Sequence, residues 1–295
     1  MWIGVIPRFW TFQNELLLTA DHIEDGQTKT RGVFGSLQRA YWPDRAGDPP
    51  GFWVGSWGKG TQVRPPSDVD VMFELPVETF QRFQSRAGNV QSALLQEVKG
   101  VLLETYRTSD IRGDGQVAQV RFNSLMVEVV PVFRLTTGQF YMPDTNDGGR
   151  WKAVDPVAEQ QQIQRLDQEC NGNIRRMCRI MKVWKREQNV PLKSFQIELL
   201  MQEFMEKYQY RTYGYYFYDW FVRDFLAYLI SRANTTLWVP GTFEAIPLGS
   251  AWLSKAQTAY QCALSACDLE RSDYVISAGL EWQKMFGTRI PTGPF

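Results

Sequence analysis

The chain has 295 residues, and its 32 basic side chains balance its 32 acidic ones, so the net charge is zero. This balance excludes a protein that coats long nucleic acids by charge alone, whereas small phosphorylated substrates need only local charge or a metal. Hydrophobic residues make up 44% of the chain and charged residues 22%, which fits one large globular domain or two lobes that share a cleft.

The four cysteines form no Cys-x-x-Cys pair, and the single histidine, His22, lies far from them in the sequence. Neither a structural zinc site nor a disulfide scaffold is expected, and a reducing, cytoplasmic setting fits best. The N-terminal stretch lacks a basic start followed by an apolar block, so no signal peptide is predicted. No apolar run approaches the roughly 18 residues of a membrane span, so no membrane association is expected.

The first half of the chain alternates predicted helices and short strands. Apolar residues recur at three- and four-residue steps from about residue 11 to 41, which predicts a helix with Gly26, Gly32 and Gly35 as candidate breaks. Strands are expected at 52–54, 68–75, 117–122 and 125–133, with a helix at about 88–107. The stretches RGDG (112–115) and TNDGGR (145–150) predict turns.

From Pro156 onward the pattern contains helices alone, expected near 157–168, 173–188, 194–208, 215–233, 250–266 and 272–286. Strands followed by helices indicate an α+β fold, in which a strand-containing lobe precedes a helical one. We place the boundary at Asp155–Pro156, a natural helix start. The predicted domains are 1–155, which includes the N-terminal helix, and 156–295.

Two aspartates, Asp68 and Asp70, lie one residue apart in the apolar run DVDVMFEL. Because side chains alternate along a strand, both carboxylates point to one face, with Cα atoms roughly 6–7 Å apart, and can converge on one cation. Val69 and Val71 then point into a core. The pattern alone is equally compatible with two solvated aspartates at the end of a strand.

A third acid, Glu128, lies within the β-branched run LMVEVVPVF, where a charge needs a partner. Adjacent strands are about 4.8 Å apart, so Glu128 can lie beside the aspartates. Three neighbouring carboxylates either take up protons or bind divalent metal, and ligation by oxygen alone favours Mg²⁺ or Mn²⁺. Two such ions, about 3.5–4 Å apart, are the standard device for in-line phosphoryl or nucleotidyl transfer.

The segment GSWGKGT (55–61) directly precedes the acid strand. Gly55 and its fellow glycines allow backbone N–H groups to approach a phosphate, and Ser56 adds a hydroxyl donor. The alternative is a glycine-rich turn that joins two strands. The segment is not a Walker A loop, because GKG lacks the required spacing.

Four basic residues share one face of a predicted helix: Arg175, Arg179, Lys182 and Arg186. This stripe is either a solvated face or a contact for a polyphosphate, with Lys182 as a point charge. At the start of the next helix, Ser194 is either its N-cap or a phosphate donor. Phe195 either joins the core or stacks on a nucleobase.

The order of these motifs resembles that of the DNA polymerase beta-like nucleotidyltransferase superfamily: Gly-Ser, then SDVDV, then an acid among hydrophobic residues before a proline. The stretches GRWKAVDPVAEQ and IRRMCRIMKVWKREQNVPLKSFQIELL resemble the bacterial CD-NTases. These are cyclic-oligonucleotide synthases related to cyclic GMP-AMP synthase and 2′-5′-oligoadenylate synthetase. The resemblance runs from about Val54 to Leu200.

The resemblance implies a mixed sheet with flanking helices and a C-terminal helical lobe, with the active site in the cleft between the lobes. It also implies that Gly55 and Ser56 contact the donor triphosphate. Asp68 and Asp70 would bind both Mg²⁺ (or Mn²⁺) ions, and Glu128 would complete one metal site near the attacking ribose hydroxyl.

In the helical lobe, the resemblance implies that Lys182 and Ser194 hold the β- and γ-phosphates and that Phe195 stacks on a base. One position departs from the family, whose third acid is usually aspartate, whereas Glu128 has one more methylene. No zinc-binding thumb is visible, so sensing of DNA is not implied and no stable nucleic-acid partner is expected.

The implied function is the joining of nucleoside triphosphates such as ATP and GTP into a cyclic di- or trinucleotide second messenger, with release of pyrophosphate. The product would reach a downstream effector in anti-phage signalling of the CBASS type. One alternative is a template-independent nucleotidyltransferase that modifies an RNA or protein acceptor. Another is an inactive module that senses nucleotides, which the three acids and the Gly-Ser segment disfavour. The bases, the linkage and the ring size do not follow from the sequence.

Overall fold

The computed structural model describes residues 2–107 and 110–293, and its contacts divide the chain into two compact units. The sheet unit comprises Leu18–Gly60 and Pro65–Gln160. The helical unit comprises Met1–Leu17, Thr61–Arg64 and Gln161–Phe295. The domain division predicted at 155/156 stays a prediction. The two units are divided differently, because the first helix and Thr61–Arg64 are grouped with the C-terminal helices.

Eleven α-helices lie in the described residues: α1 Val5–Leu16, α2 Ala20–Tyr41, α3 Gly55–Lys59, α4 Val77–Gln84, α5 Val90–Thr105, α6 Pro156–Glu169, α7 Asn173–Glu187, α8 Ser194–Lys207, α9 Tyr218–Ser231, α10 Leu253–Arg271 and α11 Val275–Phe286. Short 3₁₀ turns cover Asn146–Gly148, Tyr215–Phe217 and Gly287–Arg289. None of these helices combines the length and apolar character that crossing a bilayer requires.

Nine strands lie in the same residues: β1 Gly51–Trp53, β2 Asp68–Glu74, β3 Asp110–Asp114, β4 Val117–Arg121, β5 Met126–Arg134, β6 Phe140–Asp144, β7 Arg150–Val154, β8 Thr236–Trp238 and β9 Ala245–Pro247. The first seven form one sheet in the order β1-β2-β5-β4-β3, with β6 pairing β5 and β7. Strands β2 and β5 run parallel and the other pairs antiparallel. The mixed sheet with flanking helices and the helical C-terminal part confirm the predicted α+β fold.

The sheet unit packs α2 and α5 on one face of the sheet, because alternate residues of β2 are apolar. Val69, Val71 and Phe73 are fully buried there, in one cluster with Leu94 and Val98 of α5. The other residues of β2 therefore face the opposite side, which places Asp68 and Asp70 on the same face of the sheet.

The helical unit has its own core, built mainly from large side chains. Trp184 of α7, Phe221 of α9 and Trp282 of α11 are fully buried in it, and Phe9 of α1 contacts Trp282 edge to face at 5.3 Å between ring centroids. Helix α1 is held there by its apolar face, which is why it belongs with helices far along the chain.

The N-terminal helical pattern forms two helices rather than the one predicted from 11 to 41. Thr19 caps α2, its Oγ1 accepting a hydrogen bond from the backbone N–H of His22. The glycines do not break α2, and at Gly26 the reason is close packing: a Cβ there would lie 2.5 Å from the Trp57 ring.

Several short strands were not predicted. RGDG is not a turn, because Asp110–Asp114 pairs with β4 and the turn is confined to Gly115 and Gln116. Strands β6 and β7 are additional to the prediction, and the β8–β9 hairpin shows that the expectation of helices alone after Pro156 was wrong. Three to five residues carry too little of the period-two pattern to stand out from helical sequence.

Candidate active site

Three carboxylates meet on one face of the sheet because of the register between β2 and β5. The parallel pairing sets Asp70 directly opposite Glu128, and Asp68 lies two residues earlier on the same strand. One ligand oxygen from each of the three lies within 4.8 Å of the other two. The structure thus brings together the three acids that the sequence predicted as a group.

The electrostatics of this group favour a bound cation. Burial, followed by the negative charges of Asp68 and Glu128, raises the pKa of Asp70 to about 7, and the charge of Lys59 opposes this rise. Like charges this close either share protons or bind metal. Three carboxylate oxygens are hard ligands of the kind that Mg²⁺ and Mn²⁺ take, so the residues fit a divalent ion.

Two polar side chains orient the acids and were missed by sequence reasoning. Gln119 of β4 lies opposite Glu128, and its Nε2 donates to Glu128 Oε1 at 2.9 Å. The Ser67 hydroxyl donates to Asp68 Oδ1. The sequence does show that Gln119 lies between two apolar residues of a predicted strand. Its contact with Glu128 could be predicted only from the antiparallel register between β4 and β5.

The Gly-Ser segment forms the five-residue helix α3 rather than an irregular turn. Gly55 has a φ of +53°, and a Cβ there would lie 2.0 Å from Asp70 Oδ2, so glycine alone fits against the carboxylate. The N–H of Val54 donates to Asp70 O at 2.9 Å, and Trp57 Nε1 donates to Asp68 O at 3.0 Å. These bonds hold helix α3 beside the acid strand. Ser56 lies in the first turn of this helix and is half-buried.

A buried basic residue follows on the same helix. Lys59 forms an ion pair with Glu159 at 2.9 Å, and the two side chains are 7% and 18% exposed. Because its charge lowers the pKa of Asp70, Lys59 contributes positive potential to the acid site. The sequence GSWGKGT contains this lysine, but its pattern gave no indication of the role.

The remaining candidate residues lie in the helical unit. Lys182 Nζ contacts Glu198 Oε1 at 2.5 Å and donates to Thr61 Oγ1 at 2.8 Å and Thr61 O at 3.1 Å. The Lys182 and Glu198 side chains are only 9% and 4% exposed. The ammonium is therefore part of a buried ion pair. The sequence pattern of the basic stripe did not predict this partner.

The start of α8 corrects one interpretation of Ser194. The N-cap is Lys193, and Ser194 is the first helical residue, half-buried. Phe195 is partly buried and packs against the core of the helical unit. Elsewhere on the basic stripe, Arg175 pairs with Asp167 at 3.2 Å.

Comparison with known proteins agrees with this geometry. Residues 49–167 match the family model SMODS, the Second Messenger Oligonucleotide or Dinucleotide Synthetase domain. The CBASS oligonucleotide cyclase CdnC of Escherichia coli (strain KTE188) is 30% identical over 163 residues, which cover 52% of this chain and 50% of the relative. The chain thus spans about half the length of this curated relative.

Two solved structures share the fold over nearly the whole chain. E. coli MS115-1 CdnC with ATP has a TM-score of 0.70 at 18% identity, covering 98% of this chain and 99% of its own. Vibrio cholerae DncV cyclic AMP-GMP synthase, in complex with the linear intermediate 5′ pppA(3′,5′)pG, has a TM-score of 0.74 at 13% identity, covering 97% and 96%.

The mixed sheet and the helical C-terminal part therefore have the fold of these two solved structures. Residues 49–167 are similar to the SMODS family, and a 163-residue stretch is similar to CdnC. The fold that the sequence resemblance implied is confirmed.

Proposed function

We propose that this protein joins nucleoside triphosphates into a cyclic di- or trinucleotide, with release of one pyrophosphate per link, as a second messenger in CBASS-type anti-phage signalling. The observation that carries the proposal is the register that sets Asp70 opposite Glu128 with Asp68 beside them. The SMODS match and the similarity to CdnC support it. We place the reaction in the cytoplasm, with a downstream effector that reads the product.

In each transfer, a ribose hydroxyl oxygen bonds to the α-phosphorus of a second nucleotide, the bond from that phosphorus to the bridging oxygen breaks, and the hydroxyl proton passes to solvent. Asp68 and Asp70 would hold two Mg²⁺ or Mn²⁺ ions, and Glu128 would complete one of the sites. The bound ions supply positive charge that acidifies the hydroxyl and stabilises the leaving pyrophosphate. Gln119 keeps Glu128 oriented toward its neighbours.

The triphosphate contacts are further parts of the proposal. Gly55 brings the backbone close to the acid strand, and Ser56 offers a hydroxyl, so both suit the donor triphosphate. Lys182 and Ser194 would contact the β- and γ-phosphates, and Phe195 would stack on a base. Since Lys182 is already bonded to Glu198, it would share its charge between that carboxylate and the phosphates.

Incubation of the full chain with labelled ATP, GTP, CTP and UTP and either Mg²⁺ or Mn²⁺ tests the proposal. We expect products that resist phosphatase, identified by mass spectrometry as cyclic, and none after chelation of the metal. The double variant Asp68→Ala with Asp70→Ala should make none while its circular dichroism spectrum is unchanged. Product formation by that variant would contradict the site assignment.

The same assay separates the alternatives. A nucleotidyltransferase that modifies RNA or protein would leave the free nucleotides unjoined and label an added acceptor. A nucleotide-sensing module would bind the triphosphates and release no pyrophosphate under any condition. Either result would overturn the cyclase proposal.

A further inference from the structure

The first turn of α6 packs against the Gly-Ser helix α3, and both lie within the sheet unit. Glu159 Oε2 lies 2.9 Å from Lys59 Nζ of α3. Gln160 Nε2 donates to Trp53 O at 2.8 Å, on the strand that leads into α3. The sequence stretch GRWKAVDPVAEQ ends on Glu159 and Gln160, and neither residue belongs to the proposed metal ligands or triphosphate contacts.

The side chain of Asp155 fixes where this turn begins. Its Oδ1 accepts a hydrogen bond from the backbone N–H of Ala158 at 2.9 Å, and Pro156 is the first residue of α6. A side-chain cap followed by proline starts a helix at a defined residue. Because the start is fixed, Glu159 and Gln160 approach α3 from one defined turn.

The packing of α6 on α3 is close. A Cβ at Gly58 would lie 2.5 Å from Gln160 Nε2 and 2.6 Å from Trp53 O, so the two helices approach each other as only glycine allows. The Lys59–Glu159 ion pair is largely buried, and salt therefore screens it less than a surface pair. The first turn of α6 thus contacts the C-terminal half of α3 and the strand before it.

The N-terminal half of α3 faces the acid strand. Gly55 allows the backbone to lie against the Asp70 carboxylate, and Trp57 Nε1 donates to Asp68 O at 3.0 Å. Helix α3 has only five residues, too few to be stable through its own hydrogen bonds. Its position therefore depends on its two neighbours, the acid strand and the first turn of α6.

We propose that Glu159 and Gln160 are positioning residues, which hold α3 so that Gly55 and Ser56 meet the donor triphosphate beside Asp70. This inference rests on the proposed function, because that proposal assigns the triphosphate to α3. Glu159 and Gln160 act through α3 and not on the reacting atoms. A misplacement of about 1 Å can lower a rate about a hundredfold, so a displaced α3 would be detected in the reaction.

Kinetics of two variants with matched controls test the proposal. Gln160→Leu and Glu159→Ala should lower kcat/KM for the triphosphates that the wild type joins by at least about tenfold. Gln161→Leu, at an exposed glutamine of the same helix, should not, and neither should Glu169→Ala, whose ion pair with Arg165 is exposed.

Metal affinity separates a positioning role from a general loss of structure. Gln160→Leu changes no charge, so the Mn²⁺ affinity of the three acids, measured without nucleotide, should stay within about twofold of wild type. A merely structural role would lower kcat/KM and Mn²⁺ affinity together, through loss of folded protein.

The indole N–H of Trp57 reports the position of α3 without any turnover. In the ¹⁵N-labelled full chain, its signal is the one lost in Trp57→Phe. Exchange of this N–H with deuterium should be about five to ten times faster in Gln160→Leu and Glu159→Ala than in wild type, because its bond to Asp68 O is weakened. The two control variants should exchange like wild type.

The outcomes separate this proposal from the proposed function. If the wild type joins no nucleotides but the Trp57 exchange changes as expected, the proposed function fails while the hold of Glu159 and Gln160 on α3 is supported. If the wild type is active and both variants match their controls, the positioning role is overturned. A Mn²⁺ affinity that falls in parallel with kcat/KM in Gln160→Leu also overturns it. Should Trp57→Phe not fold, kcat/KM relative to the controls decides.

Discussion

Asp70 lies directly opposite Glu128 across the parallel strands β2 and β5, and Gly55 packs against the same Asp70 carboxylate. The pairing places two like charges side by side in a partly buried position, and Asp68 adds a third. Without a cation, the repulsion opposes folding. The acids are therefore a stability cost that a bound metal would offset, so the proposed metal binding can be measured without any substrate.

Replacing Asp70 by asparagine should stabilise the metal-free protein. The raised pKa of Asp70, about 7, means that the folded state holds this proton more tightly than the unfolded state. The free energy of unfolding of the wild type therefore falls as the pH rises from about 4 through 7, and Asp70→Asn removes that loss. Thermal unfolding in EDTA at pH 8 should give a Tm a few degrees above wild type.

Added Mn²⁺ should reverse this order, because it raises the Tm of the wild type and much less that of Asp70→Asn. The exposed Asp44→Asn should behave like wild type in both conditions. A wild type whose Tm is unaffected by Mn²⁺ or Mg²⁺ would contradict metal binding at these acids.

Gly55→Ala should abolish the proposed nucleotide joining, because an added Cβ would lie 2.0 Å from Asp70 Oδ2 and force that carboxylate to move. Gly115 has nearly the same φ, +55°, and a Cβ added there would meet no atom within 4 Å, so Gly115→Ala measures the backbone strain alone. That strain is about 1–2 kcal/mol. Turnover and urea unfolding of both variants separate backbone strain from the contact with Asp70. An equal loss of turnover in Gly55→Ala and Gly115→Ala would show that strain, not the contact, is responsible.

Gln119→Leu should weaken metal binding at the proposed site by about tenfold, since the side chain that donates to Glu128 is lost. Mn²⁺ affinity, followed by electron paramagnetic resonance, is the readout, because a purely structural role for Gln119 would leave it unchanged. Gln81→Leu, on the exposed side of α4, is the matched control.

The Lys182–Glu198 pair should show strong coupling. Lys182→Met leaves Glu198 buried beside Thr61 without its ammonium partner, which should lower the free energy of unfolding by about 3–5 kcal/mol. The double variant Lys182→Met with Glu198→Leu should recover most of this loss in urea unfolding. If Lys182 also contacts the triphosphate, the double variant will keep a raised KM despite its recovered stability; additive stability effects would show that the pair is not coupled.

A pH-dependent contribution to stability is expected in the helical unit. Burial raises the pKa of Asp219 to about 7, against the opposing hydrogen bond from the Trp220 backbone. Because the folded pKa exceeds the unfolded one, this group lowers the free energy of unfolding as the pH rises from about 4 to 7 and no further above that. Asp219→Asn should be more stable than wild type at pH 8 and differ little at pH 4, as measured by urea unfolding at the two pH values.

The sequence predicted the α+β fold and the proximity of the three acids, but it did not predict the short strands or the partners of the site residues. Asp68, Asp70 and Glu128 were found because a charge within a β-branched run is conspicuous and because the alternation along a strand fixes its face. Gln119 was missed because its role depends on which residue lies across the neighbouring strand, and antiparallel register is a tertiary property. The bonding of Lys182 was missed for the same reason, since Glu198 lies on the next helix and Thr61 far earlier in the chain.

The chain passes between the two units at 17/18, 60/61, 64/65 and 160/161, so the Gly-Ser segment and the acid strand are joined by residues that pack in the helical unit. Val63, in that short connection, contacts the helical core. Transplanting the sheet unit from one relative to another would therefore need four junctions instead of one. A recombinant gene that exchanges only a contiguous front portion would separate Thr61–Arg64 and α1 from the helices of their own unit. This restricts how such chains can be recombined, in the laboratory or in a genome.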